Sequence, residues 1–126
     1  MKKNKILIID DENDFADIMK KRLEAFGYEV SSAFSGIEGL KKAEKNIPDL
    51  ILLDIIMPHM DGFAVLSKLK DNAKTQDIPV VMLTGKDDID SVLESAGLGM
   101  VDYVIKSFDT IDNLLVVIEK NLNNNA

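Results

Sequence analysis

Five short runs of aliphatic and β-branched residues alternate with five amphipathic stretches, and that alternation constrains the fold more than any other feature. The runs are Lys5 to Ile9, Tyr28 to Ala33, Leu50 to Leu53, Val80 to Leu83 and Val101 to Ile105. Each is too short for a helix and is followed by polar or glycine-containing residues, so each reads as a strand. Between them apolar residues recur at helical spacing: Phe15, Ile18, Met19, Leu23 and Phe26; then Ile37, Leu40 and Ala43; then Phe63, Leu66 and Leu69. The series continues with Ile89, Val92, Leu93 and Ala96, and ends with Ile111, Leu114, Leu115, Ile118 and Leu122. Gly27 after the first helix, and Pro48 and Pro79 before the third and fourth runs, punctuate the same boundaries.

Strand–helix alternation implies an α/β protein with parallel strands, right-handed crossovers and helices on both sheet faces. Central strands then read as unbroken apolar runs, as ILIID, LILLD and VVMLT do, whereas YEVSSAF alternates with polar residues and belongs at an edge. Five such units predict a (βα)5, flavodoxin-like, doubly wound sheet in the order 2-1-3-4-5, with a crevice between strands 1 and 3 at their carboxyl ends. The 126 residues are one domain's worth, with a core over about 5–122 and no output domain expected.

Parallel strands bring their carboxyl ends to one edge. The first run ends in Asp10 and Asp11, the third in Asp54, the fourth in Thr84 and the fifth in Lys106. Asp10, Asp11 and Glu12 also suit the start of a helix, and Thr84 and Lys106 taken singly are an ordinary strand-end hydroxyl and a solvated lysine. Together they describe a site. Two carboxylates ~5 Å apart repel by roughly 3 kcal/mol at an effective dielectric near 20, so three in one crevice call for a cation. With no cysteine in the chain, oxygen ligands remain, and Mg2+ is the ion that takes few carboxylates and bridges to phosphate. The chemistry expected is metal-assisted phosphoryl transfer, with Asp54 as nucleophile, Asp10 and Asp11 at the metal, and Thr84 and Lys106 on the phosphoryl oxygens.

The net charge of −7 disfavours direct binding to nucleic acid or to anionic membranes. No run approaches the ~20 apolar residues of a membrane span, and Lys2, Lys3 and Lys5 precede too short an apolar run for a signal peptide, so a cytoplasmic location is expected.

The segments IDDE (Ile9 to Glu12), LLDIIMPHMDG (Leu52 to Gly62), VVMLTG (Val80 to Gly85) and DYVIKSF (Asp102 to Phe108) resemble those of a response-regulator receiver domain, chemotaxis-regulator-like, the phosphoacceptor module of two-component signalling. The resemblance implies that Asp54 is phosphorylated by a histidine kinase or histidine phosphotransfer protein. It further implies that Asp11, Asp54 and the backbone carbonyl of Ile56 bind Mg2+ directly, and that Asp10 reaches the metal through water. Thr84 and Lys106 would sense the phosphoryl group, and Tyr103 would act as the aromatic switch. The signal would leave through the helix 4–strand 5–helix 5 face to a downstream protein or a second copy of the chain. Slow self-dephosphorylation is implied, and self-phosphorylation by small donors is expected, in a signalling domain that is not an enzyme.

Two departures stand out. Ser107 follows Lys106 where the family usually has a proline after a cis peptide, and a non-proline cis bond costs ~3 kcal/mol. Met100 and Val101 make the start of strand 5 unusually apolar. Tyr103 has a plain alternative as a strand aromatic packed on the last helix. His59 follows Pro58 and reads as an exposed loop residue, while Val116 and Val117 both project about 130° from the last helix's core stripe. Other functions compete poorly. A flavodoxin-like cofactor binder needs glycine or hydroxyl residues where DDEND stands, and an aspartate-nucleophile phosphatase needs an acid where Ile56 stands. A degenerate receiver serving as a phosphorylation-independent scaffold is the remaining alternative.

Overall fold

The computed structural model describes residues 3–94, 96–107 and 110–123. Strands β1 (Lys5–Ile9), β2 (Glu29–Ala33), β3 (Leu50–Asp54), β4 (Val80–Thr84) and β5 (Asp102–Ile105) alternate with helices α1 (Asn13–Ala25), α2 (Gly36–Asn46), α3 (Gly62–Asp71), α4 (Ile89–Glu94) and α5 (Thr110–Asn123). Short 3-10 turns cover Lys86–Asp88 and Ala96–Leu98. The sheet order is β2-β1-β3-β4-β5 and every pairing is parallel, as the alternation requires.

Side chains alternate across each strand, so the sheet separates two cores. Leu7, Ile9, Ile51, Leu53, Val80 and Met82 pack with Ala43, Val65, Leu66, Leu69 and Val92 on the face covered by α2, α3 and α4. Ile6, Ile8, Leu50, Leu52, Val81 and Leu83 pack with Ala16, Met19, Leu23, Leu114 and Ile118 on the face covered by α1 and α5. Both faces of β3 and β4 are buried, which is why their sequences carry no polar alternation. Strand β2 keeps its alternation and lies at the edge.

Strands β3 and β4 each run one residue further than their apolar runs, taking in Asp54 and Thr84. Strand β2 starts at Glu29 instead of Tyr28, and β5 at Asp102 instead of Val101. Several residues on the expected helical core stripes are exposed: Ile18, Phe26, Ile37 and Leu93. Phe26 is the C-cap of α1, where the chain leaves the helix through Gly27 at φ 95°, so its ring no longer follows the helical stripe. Val117 is half-buried against the α1/α5 core, which corrects the reading that it projects outward with Val116; Val116 alone is strongly exposed.

Candidate functional site

Backbone hydrogen bonds carry the sheet ladder one step past the strands and hold the site residues at its carboxyl edge. The Asp10 N–H donates to the Ala33 carbonyl (3.0 Å), that of Ile55 to Leu83 (3.2 Å) and that of Lys106 to Thr84 (2.8 Å). Asp10, Asp54 and Lys106 are thereby set at the carboxyl ends of β1, β3 and β5, with β4 and Thr84 between the last two, and have little backbone freedom.

Their side chains converge. Asp10 is fully buried and Asp54 is 5% exposed. The Lys106 ammonium lies 2.9 Å from Oδ2 of Asp10 and 3.8 Å from Oδ2 of Asp54, and it also pairs with Oε1 of Glu12. The ring of Phe15 covers it, 4.5 Å from Nζ to the centroid. Beside them opens a cleft of about 840 Å³, lined by Asp11, Ile56, Gly85 and Asp88 and running along Ile18, Met19 and Arg22 of α1.

Carboxylate oxygens of Asp10, Glu12 and Asp54 lie within 4.8 Å of one another. Asp11, expected among the metal acids, stands at the cleft wall, half-buried, and its charge still reaches Asp54. Ile56 is exposed on the same rim. The Thr84 hydroxyl donates to the Gly85 carbonyl (2.9 Å). Tyr103 is half-buried and pairs in register with Met82, on the sheet face covered by α3 and α4. Packing on the last helix is therefore corrected, because α5 lies across the other face. No peptide bond among the described residues is cis, so Lys106–Ser107 is trans. A secondary amide favours trans by ~3 kcal/mol, and the Ser107 N–H, which a proline would lack, donates to Oγ1 of Thr110. Phe108 lies outside the described residues. His59 is exposed in its loop, with φ 69°.

Sequence reasoning missed Glu12 and Phe15 as parts of the site. Their spacing was the available signal, since residues three apart across the start of a helix share one face. The plain reading of the acids as helix caps also fails in detail: Glu12 is the N-cap of α1 but makes no side-chain cap bond, and Asp10 instead accepts the Glu12 N–H through Oδ1 (2.9 Å).

The acids strain one another electrostatically. Burial, then the charge of Asp10, push the Asp54 carboxyl up from 3.8 to about 7 against the opposing pull of Lys106. Burial also raises Asp10, despite its hydrogen bonds. Burial works against the Lys106 charge, but its bonds to Glu12 and Asp10 outweigh this and raise its pKa. Oδ2 of Asp10 is buried and paired with Nζ of Lys106 at 2.9 Å, so a divalent cation in the cleft would share this oxygen with the ammonium. Hard oxygen donors of this kind fit Mg2+, with Asp10, Asp11 and Asp54 able to hold it while the Glu12 carboxylate is taken up by Lys106.

These shifts set a pH dependence. Folded Asp54 keeps a proton that the unfolded chain releases near 3.8, so its stabilisation is complete below that pH and is lost as pH rises through about 7. Metal-free protein is therefore expected to melt at progressively lower temperature between about pH 4 and pH 7. Added Mg2+ should recover more stability at the upper end, where both acids are ionised. Thermal melts across that range with and without Mg2+ check this, and a Mg2+ gain that shrinks with rising pH would contradict it.

Comparison with known proteins places this edge in context. The family profile described as response regulator receiver domain matches residues 6–119. The DNA-binding dual master transcriptional regulator RpaA of Synechocystis is 41% identical over 110 residues, which are 87% of this chain and 46% of RpaA. The chain thus spans less than half the length of that relative. Among solved structures, a response regulator receiver domain protein from Clostridium thermocellum superposes with a TM-score of 0.89 at 32% identity, covering 97% of this chain and 96% of the other. The chemotaxis protein CheY4 of Vibrio cholerae superposes with a TM-score of 0.87 at 28% identity, covering 94% and 98% respectively.

Proposed function

The chain belongs to the response regulator receiver domain family, and from that premise we propose that it is a Mg2+-dependent phosphoacceptor that takes a phosphoryl group on Asp54. One observation carries the reading: a nearly buried Asp54 faces a lysine and a second buried carboxylate, at the mouth of an open cleft. A carboxylate in this setting is a nucleophile with a cation site beside it.

The donor is a phosphohistidine of a histidine kinase or histidine phosphotransfer protein. An Asp54 oxygen bonds to phosphorus as the P–N bond breaks, and the electron pair leaves with the imidazole nitrogen. Asp10, Asp11, Asp54 and the Ile56 carbonyl would hold Mg2+, which when bound would supply positive charge to offset the charge of the transferring group. Lys106 pairs with one phosphoryl oxygen. Thr84 donates to another, for which its hydroxyl must leave the Gly85 carbonyl. That movement opens the space next to β4 on the face where Tyr103 packs, so the ring turns inward and alters the surface made by α4, β5 and α5. Leu93, Leu98, Val101 and Val116 stand exposed on these elements and their flanking turns, ready for a downstream protein or a second copy of the chain.

The domain signals and is not an enzyme, and we place it in the cytoplasm, in contact with proteins. Its charge of −7 makes a direct contact with DNA unfavourable, so the DNA binding in RpaA's name belongs to that longer protein. Among the described residues no helix is long and apolar enough to cross a membrane.

The test is titration with beryllofluoride and Mg2+, followed by NMR. Saturable shifts near Asp54, Thr84 and Tyr103 are expected. A response to neither reagent would replace this reading with the phosphorylation-independent scaffold.

A further inference from the structure

We propose that Glu12 is a positioning residue that restrains phosphoryl acceptance, by competing for the lysine that the phosphoryl group needs. The inference rests on the phosphoacceptor reading above and adds a residue to it. Lys106 has three N–H donors, and its ammonium is hydrogen-bonded to Glu12 and ion-paired with both buried aspartates. Asp10 lies at 2.9 Å, Asp54 at 3.8 Å, Glu12 is in direct contact, and the Phe15 ring covers a further side. A phosphoryl oxygen on Asp54 would compete with these acids for the ammonium.

The structure indicates which partner yields. Asp10 has no exposure and is fixed by the Glu12 N–H, and Asp54 carries the new group. Glu12 is 63% exposed at its side chain and can swing into water without breaking the backbone bond that its N–H makes to Asp10. Glu12 also stands at the N-cap of α1, where a side-chain cap bond would normally be made, and makes none. Its carboxylate serves Lys106 instead. The lysine is thus held toward Glu12 before phosphorylation, and acceptance of the phosphoryl group includes the work of separating the pair.

Beryllofluoride binding at saturating Mg2+, measured on the whole chain as wild type, Glu12→Gln and Glu12→Ala, tests this. An exposed ion pair contributes up to ~1 kcal/mol, so both variants should bind about fivefold more tightly than wild type. Mg2+ affinity should stay within about twofold, and the gap in beryllofluoride affinity should narrow in ~1 M salt, as screening of an exposed pair demands. A purely structural role for Glu12 would not produce that salt dependence. Unchanged or weaker beryllofluoride binding in the variants, with wild type binding normally, overturns the inference and leaves the phosphoacceptor reading standing. A loss of about tenfold in Mg2+ affinity also overturns it, by making Glu12 a metal ligand. Wild type that binds no beryllofluoride removes both.

Discussion

Asp54→Asn is expected to abolish Mg2+-dependent labelling by a small acyl phosphate donor, while raising the stability of the metal-free protein. The label on wild type should survive acid and be removed by base and by hydroxylamine, as an acyl phosphate is. An amide oxygen is a poor nucleophile, and among the described residues no other carboxylate in the cleft is both nearly buried and beside Lys106 across the crevice from Asp10. The stability gain has a separate origin. Above about pH 7 Asp54 is ionised at 5% exposure, with burial and the charge of Asp10 both opposing that ionisation. Asparagine removes the charge and keeps the shape. Lys106 loses its most distant acid but retains Asp10 and Glu12. A gain of ~1 kcal/mol, or about 5 °C in Tm, is expected at pH 8 without metal. Undiminished labelling of the variant would sink the phosphoacceptor assignment, whatever its Tm.

The part of this site that sequence reasoning reaches is the part fixed by the sheet. Strands buried on both faces give unmistakable apolar runs, parallel topology puts their ends together, and Asp10, Asp54, Thr84 and Lys106 follow from counting to the end of each run. Side-chain direction at a helix start is a different matter. Asp11 and Glu12 are both acids at the turn between β1 and α1, and only the backbone path from Asp10, fixed by its bond to Ala33, sends Glu12 toward Lys106 and Asp11 to the cleft wall. Helical faces fail for a related reason. The 3.6-residue period finds a stripe but not its extent, so Ile18 and Leu93 fall at its exposed margin and Phe26 beyond the last turn. Tyr103 illustrates the same limit in a strand, since period-two alternation assigns a face only once one neighbour's side is known, and its Met82 partner supplies that.

Gly62→Ala should be the most damaging small substitution in the molecule, because it strikes the backbone that holds Asp54. Gly62 is the first residue of α3, after Asp61 whose carboxylate caps the helix by accepting the Ala64 N–H at 2.9 Å. Its own N–H donates 2.7 Å to the Ile55 carbonyl, pressing the helix start against the end of β3. A Cβ there would collide with the carbonyl oxygen of Asp54 and come within 2.8 Å of the Ile55 Cα. Neither obstacle can rotate away. Gly39 offers the contrast: the three atoms nearest a Cβ on it all belong to the Ile9 side chain, the closest at 2.5 Å, and can shift partly at the cost of core packing. Gly97 has nothing within 4 Å and serves as the control. Denaturant unfolding should show a loss of at least ~3 kcal/mol for Gly62→Ala, roughly half that for Gly39→Ala, and a change within about 0.5 kcal/mol for Gly97→Ala. The Gly62 variant should lose more than stability. Relief of the clash requires the β3 end or α3 to move, and the strand end carries Asp54 and Ile55 with it, so Mg2+ affinity should fall even where the variant remains folded. A Gly62→Ala protein with wild-type stability and Mg2+ binding would mean that α3 does not fix the position of Asp54.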